Sequence, residues 1–111
     1  MPSRIHQFDV GTEFIMQIMD GPQPLPLGDA TVKILEFLLP DGSVIEKDAE
    51  LFEISGDDGK LIYTAEEGFL SQVGDWEWQA YVVKPSGKWH SDKDEFTVYP
   101  NIGNAEHDHT S

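Results

Sequence analysis

The chain has 111 residues, seven basic and 21 acidic side chains, a formal net charge of −14 and no cysteine. This length suffices for one hydrophobic core but not for a second. Without cysteine there is neither a disulfide framework nor a thiolate zinc site. The negative charge repels nucleic acid and anionic membrane surfaces, which are therefore not expected as partners. No membrane span and no signal peptide are recognisable, so we expect a soluble domain that is not exported by the usual route.

The first predicted strand covers residues 12–19. Phe14, Met16 and Ile18 alternate there with Ile15, Gln17 and Met19, and this small polar face predicts burial on both sides. Residues 20–28 follow and contain three prolines within five residues. Proline cannot donate to a sheet ladder, so this segment is predicted to connect two sheets.

The next predicted strands form a hairpin. Residues 30–39 alternate along the strand and end at Pro40-Asp41-Gly42, a strong turn signal, so residues 43–48 are expected to return antiparallel. Further short strands are predicted at residues 49–54 and 60–64. Residues 65–72 are interpreted as a loop with at most one helical turn that crosses between sheets.

The strongest strand signal lies in residues 74–83. Trp76, Trp78, Ala80 and Val82 fall on one face of a strand with period two, which predicts that they face the core. After a Pro-Ser-Gly turn, a second strand closes at residues 96–99. Trp89 follows this turn and is the only tryptophan expected to be exposed.

Short strands with turns at a spacing of about 8–12 residues, without an amphipathic helix, predict an all-β fold. We expect an immunoglobulin-like antiparallel β-sandwich of about seven strands with extended polar terminal arms. The predicted organisation is an N-terminal arm at residues 1–11, the sandwich at 12–100 and a polar C-terminal tail at 101–111.

No motif for catalysis stands out. Neighbouring carboxylates such as Asp57 and Asp58 are expected in so acidic a chain, and the spacing of a calcium loop is absent around them. His107 and His109 are close enough to share a metal, but no other ligand motif accompanies them, so a polar tail is the better interpretation. We therefore predict a non-enzymatic protein with no catalytic, metal or cofactor-binding residues.

Several segments carry a resemblance to a known family. They are Leu39-Pro-Asp-Gly-Ser43, Gly59-Lys-Leu-Ile-Tyr63, Gly74-Asp-Trp-Glu-Trp-Gln-Ala80, and Lys88-Trp-His-Ser91 leading to Phe96-Thr-Val-Tyr-Pro100. In these segments and in the order of elements, about two-thirds of the chain resembles small immunoglobulin-like domains of tailed bacteriophages. The resemblance is to the N-terminal domain of phage baseplate upper proteins and to stand-alone relatives.

The resemblance implies a non-enzymatic virion protein, assembled in the host cytoplasm. A capsid decoration or cement protein is expected first, bound to the major capsid protein through its arms and edge strands, with Trp89, Tyr99 and Ile102 as candidate partner contacts. A tail or baseplate accessory protein is the alternative. Pairing of edge strands also leaves a homodimer or higher oligomer open. An alternative of another class is a carbohydrate-binding adhesion module that stacks sugar on Trp89.

Overall fold

The computed structural model describes residues 5–102, which form eleven strands and no helix. Seven of these strands have four or more residues, and four have two. The all-β prediction is therefore confirmed. The strands are β1 (Ile5–His6), β2 (Glu13–Gln17), β3 (Met19–Asp20), β4 (Gln23–Pro24), β5 (Val32–Leu38), β6 (Val44–Asp48), β7 (Glu50–Leu51), β8 (Lys60–Thr64), β9 (Gly74–Lys84), β10 (Gly87–His90) and β11 (Asp94–Tyr99).

The larger sheet is built around β9. Its strand order is β1-β11-β9-β5-β6, and β10 also pairs with β9. β5 runs along one side of β9, while β11 and β10 share the other side, one after the other. All pairs are antiparallel except β1 with β11. The predicted hairpin of β5 and β6 is confirmed.

Ser91 joins the two strands that share one side of β9. Its backbone N–H donates to the Ala80 carbonyl at 3.0 Å, and its Oγ accepts from the Ala80 N–H at 2.8 Å. The same hydroxyl donates to the Asp92 carbonyl at 2.8 Å. The backbone of Ala80 therefore keeps its partners at the point where β10 has ended and β11 has not begun.

A three-stranded sheet, β2-β8-β7, packs against one face of the large sheet to make a sandwich. Phe37 lies at the centre of the core between them and is fully buried. Its ring stacks on Trp78 at 5.8 Å between centroids and makes T-shaped contacts with Phe14 and Phe69 at 5.3 and 4.8 Å. Trp76 and Trp78 face this core, as the alternation of β9 predicts.

Two strand predictions need correction. β2 is not buried on both sides: Phe14 faces the core, but Ile15 is 38% exposed because the outer face of the small sheet meets solvent. The strand predicted at residues 49–54 is reduced to Glu50–Leu51. The chain then turns at Gly56, which has a positive φ of 74° and whose carbonyl accepts from the Leu27 N–H at 2.9 Å.

Much of the predicted N-terminal arm belongs to the sandwich. Ile5 is buried in the core, and β1 pairs with β11. The Phe8 N–H donates to Leu70 at 2.8 Å, and the Gly11 N–H donates to Ala65 at 2.8 Å. The arm expected at residues 1–11 is thus incorrect from residue 5 onward. The segments 1–4 and 103–111, with His107 and His109, lie outside the described residues.

The position of Phe37 predicts a large stability cost for its removal. Phe37→Ala should lower the free energy of unfolding by about 3–5 kcal/mol, because a cavity is left between the two sheets. Urea unfolding followed by tryptophan fluorescence measures this change. Val44→Ala on the adjacent strand is the control, because Val44 is 61% exposed and should change stability by less than about 0.5 kcal/mol. Equal effects of the two substitutions would contradict the assigned core.

Candidate docking surface on the large sheet

The candidate site lies on the outer face of the large sheet, which points away from the small sheet. Successive side chains of a strand point to opposite faces, so the neighbours of the core residues on β5 and β9 point outward. These side chains are exposed or half-buried. They are Val32, Ile34, Glu36 and Leu38 on β5 and Glu77, Gln79, Tyr81 and Val83 on β9.

A shallow groove occupies this face. One depression of about 290 Å³ adjoins a second of about 360 Å³, and the two share Leu38 and Glu77. We call them together the outer groove. The first is lined by Glu36, Phe37, Leu38, Val44, Glu77, Trp78, Gln79 and Lys93, and the second by Leu38, Leu39, Pro40, Gly42, Asp75, Trp76, Glu77 and Glu95.

The outer groove combines an apolar floor with acidic walls. Leu38 and Val44 lie opposite each other in register and are 40% and 61% exposed. Four carboxylates line the groove, against one cation, Lys93. Glu77 stands directly opposite Glu95 on β11, an arrangement of like charges that costs stability. Such a surface is complementary to a partner that carries both apolar and basic side chains.

Glu36 has a partly buried carboxyl group on this face. It lies opposite Glu46 on β6 and opposite Gln79 on β9. Partial burial raises the pKa of Glu36, and the hydrogen bond and the charge of Glu46 raise it further, while the charge of His90 acts in the opposite direction. The outer face therefore holds a partly buried carboxyl directly beside a second one.

β6 gives the outer groove an open edge. The Ala49 N–H donates to Lys33 and the Leu39 N–H donates to Ser43, both at 2.9 Å, which fixes the hydrogen-bonding phase of the β5–β6 pair. In that phase residues 45 and 47 bond to β5, and residues 44, 46 and 48 point their N–H and C=O groups away from it. β6 ends the strand order of the large sheet, so these groups face no further strand among residues 5–102.

The three candidate contacts do not share one surface. Trp89 lies opposite Val82 near the end of β9, whereas Val98, the residue before Tyr99, lies opposite Gly74 at its beginning. That separation corresponds to about 26 Å along the strand. Ile102, which is fully exposed, follows β11 and is therefore at the end of the sheet where Tyr99 lies. Tyr99 packs near His6, with ring centroids 6.2 Å apart.

Trp89 is half-buried instead of forming a flat exposed platform. Its position opposite Val82 turns the indole toward the core face, where it packs against the core cluster. The Lys84 ammonium lies 5.7 Å from the ring centroid. A Cβ at Gly87 would lie only 3.2 Å from Cη2 of the indole, so the ring folds back over its own hairpin. The expectation of an exposed stacking surface at Trp89 is corrected accordingly.

The outer groove was not among the sites expected from the sequence. A usable signal exists on β5, where Val32, Ile34 and Leu38 occupy the face opposite the core residues. A strand face that meets only water is usually more polar. The cross-strand acidic pairs, by contrast, depend on the register of β6 and β11 and have no local signature.

Comparisons with known proteins identify the fold. No protein-family model matches the chain, and no curated protein matches it. Among solved structures, the chain is similar to the crystal structure of CopC from Methylosinus trichosporium OB3b. The TM-score is 0.53 at 18% sequence identity, over 93% of this chain and 91% of that chain. This likeness concerns the fold alone, and it agrees with the predicted β-sandwich.

Two further observations concern the described part of the chain. Residues 5–102 contain no group of three or more His, Asp or Glu side chains arranged to hold a metal ion. The same residues include no helix that is long and apolar enough to cross a membrane.

Because the pKa of Glu36 is raised, the effect of replacing this residue on the free energy of unfolding should depend on pH. The folded state binds the proton of Glu36 more tightly than the unfolded state, so the ionised carboxyl destabilises the fold above its folded-state pKa. This cost decreases as the pH falls through that value and is gone below the ordinary glutamate range. Glu36→Gln should therefore stabilise the protein at neutral pH and lose this advantage near about pH 4.

Urea unfolding midpoints at the two pH values measure this difference. Glu13→Gln, at an exposed position on the edge of the small sheet, is the matched control for the exchange of glutamate for glutamine. A Glu36→Gln variant that is less stable than the wild type at neutral pH would contradict the assigned electrostatics.

Proposed function

We propose that this protein is a non-enzymatic structural component of a bacteriophage virion, and that it decorates the capsid by binding the major capsid protein. The observation that carries the proposal is the open β6 edge beside the outer groove. Backbone groups on the edge and the apolar floor of the groove provide affinity for another protein, and the acidic walls provide selectivity. The resemblance to small phage domains supplies the viral setting.

A decorating role suits the physical character of this surface. The outer groove is shallow and half-exposed, so a single copy is expected to bind weakly. On a shell, the same contact is repeated at many equivalent positions. Where one copy makes two contacts, the first holds it at a high effective concentration near the second, so the two together bind more tightly than either alone. The net charge of −14 keeps free copies apart before assembly in the host cytoplasm. Nucleic acid and membrane are not expected partners.

Tyr99 and Ile102 provide a second candidate contact at the other end of β9 from Trp89. Ile102 projects fully into solvent, although large apolar side chains are normally at least partly covered. A contact by Ile102 in addition to the outer groove would allow one copy to bridge two neighbouring shell subunits. Association of this protein with itself, as a dimer or higher oligomer, is compatible with an open edge other than β6, such as that of β2.

The alternative within the same class is a tail or baseplate accessory protein. It is favoured by the resemblance to the N-terminal domain of baseplate upper proteins, and it uses the same docking surface. The two roles predict different copy numbers per virion, because shell proteins are present in many copies and tail components follow the cyclic symmetry of the tail.

The copy number in purified virions tests the proposal. Quantitative mass spectrometry should give a ratio to the major capsid protein that approaches one if this protein decorates the shell. A copy number near a small multiple of about three or six would instead place it in the tail or baseplate. Absence of the protein from virions would overturn both roles.

A carbohydrate-binding module remains the alternative of a different class, and Trp89 tests it. We expect no saturable sugar binding by the wild-type protein, and we expect Trp89→Ala mainly to lower stability, because the indole packs against the core. A glycan array followed by calorimetric titration measures binding. Phe52→Ala, which removes an aromatic ring 44% exposed just after β7, is the matched control. Sugar binding lost in Trp89→Ala and retained in Phe52→Ala would favour the adhesion module.

A further inference from the structure

We propose that β6 accepts an extended basic segment of a partner protein as an additional strand of the large sheet. This inference rests on the proposed function, from which it takes a virion protein as the source of the segment. It goes further by naming the edge that binds and the side-chain pattern of the strand that fits.

The backbone of β6 presents outward hydrogen-bonding groups with which another strand can pair. Residues 44, 46 and 48 direct their N–H and C=O groups outward, and none of the hydrogen bonds that hold β6 to β5 uses them. Edge strands that must avoid partners usually carry a proline, a bulge or an outward lysine. β6 contains no proline, and its five residues pair with β5 one to one, without a bulge.

The one lysine of β6 does not protect this edge. Lys47 points to the opposite face from Glu46, and its ammonium binds the Glu66 carboxylate at 2.8 Å. The same ammonium lies 5.9 Å from the Tyr63 ring and 5.7 Å from the Phe69 ring. Its charge is therefore directed to the core side of the sandwich. The outer side of the edge presents only Val44, Glu46 and Asp48.

These three side chains define the partner. Residues of an added strand would lie directly opposite Val44, Glu46 and Asp48, so basic side chains opposite the two acids and an apolar one opposite Val44 are complementary. Long lysine or arginine side chains would extend over Glu46 toward Glu36, which lies directly opposite it on β5. The apolar side chain would extend the floor formed by Val44 and Leu38.

A second copy of this chain is a poor occupant of the edge. Antiparallel pairing of two β6 strands about their centre would place Glu46 opposite Glu46 and Val44 opposite Asp48. Like charges directly opposite each other destabilise a strand pair. The net charge of −14 on each copy adds long-range repulsion. The edge is therefore specific for a different, positively charged segment.

Titration of a labelled peptide into the full-length protein tests the inference. The probe is an extended peptide of about seven residues, in which lysine alternates with threonine and one valine occupies the position opposite Val44. Fluorescence anisotropy should show saturable binding, and amide exchange measured by NMR should show new protection at residues 44, 46 and 48. A peptide with glutamate in place of lysine is the control and should not bind.

Glu46→Pro is the decisive variant. It removes an N–H that the fold does not use, so β6 should remain paired with β5 while strand addition is blocked. Ile15→Pro is the matched control, because the Ile15 N–H also points outward, from the open edge of β2. Binding should be lost in Glu46→Pro and kept in Ile15→Pro. Equal binding by a folded Glu46→Pro protein would overturn the inference.

A second variant covers the case in which Glu46→Pro fails to fold. The double substitution Glu46→Lys and Asp48→Lys changes two exposed side chains and should weaken peptide binding by about tenfold or more. An unchanged affinity, or binding of the basic peptide by the wild type without protection of residues 44, 46 and 48, would overturn the inference.

Virion incorporation separates this inference from the proposed function. Wild-type protein in virions together with loss of the Glu46→Pro protein supports both. Wild-type and Glu46→Pro proteins present at equal copy number would overturn the β6 inference and leave the virion role standing. Absence of the wild type from virions would overturn the virion role, and the peptide titration would then decide the inference on its own.

Discussion

Pairing along both sides of β9 is the constraint on which the rest of the structure depends. This eleven-residue strand bonds to β5 on one side and to β11 and β10 on the other, and its inward tryptophans form the floor of the core. Phe37 can stack on Trp78 only because the β5 register places the two residues opposite each other. The small sheet then packs over the aromatic cluster to complete the sandwich. The same strand orients the outer face, since each inward residue fixes its outward neighbour.

The outward-facing side chains of the large sheet make its outer face acidic. Glu77 and Glu95 are opposed across β9 and β11, as Glu36 and Glu46 are across β5 and β6. Each like-charged pair costs stability that the aromatic core must offset. The repulsion within these pairs is relieved when positive charge binds beside them, so the surface favours a cationic partner. Val44 and Leu38 add apolar contact at the same place, so affinity and selectivity arise from adjacent rows of one sheet.

Local patterns in the sequence were sufficient for the sandwich but not for the candidate site. The alternation of Trp76, Trp78, Ala80 and Val82 and the Pro40-Asp41-Gly42 turn indicate the central strands and a hairpin, because both features depend on residues close in sequence. The outer groove depends on which strands become neighbours and in what register, which no local pattern encodes. Trp89 shows the same limit, since only its pairing with Val82 turns the indole toward the core. Ile5 joins the core because β11 provides a partner for β1, more than ninety residues away in sequence.

The open edges at β2 and β6 differ in a way that bears on specificity. β2 directs residues 13, 15 and 17 outward, a glutamate, an isoleucine and a glutamine, and so carries little charge for selecting a partner. β6 directs Val44, Glu46 and Asp48 outward and adjoins the acidic outer groove. Backbone pairing alone would be equally available to many extended segments, including another copy of this chain. The carboxylates of β6 disfavour that self-pairing and favour a basic strand. The backbone hydrogen bonds therefore supply the affinity, and the charge determines which segment binds.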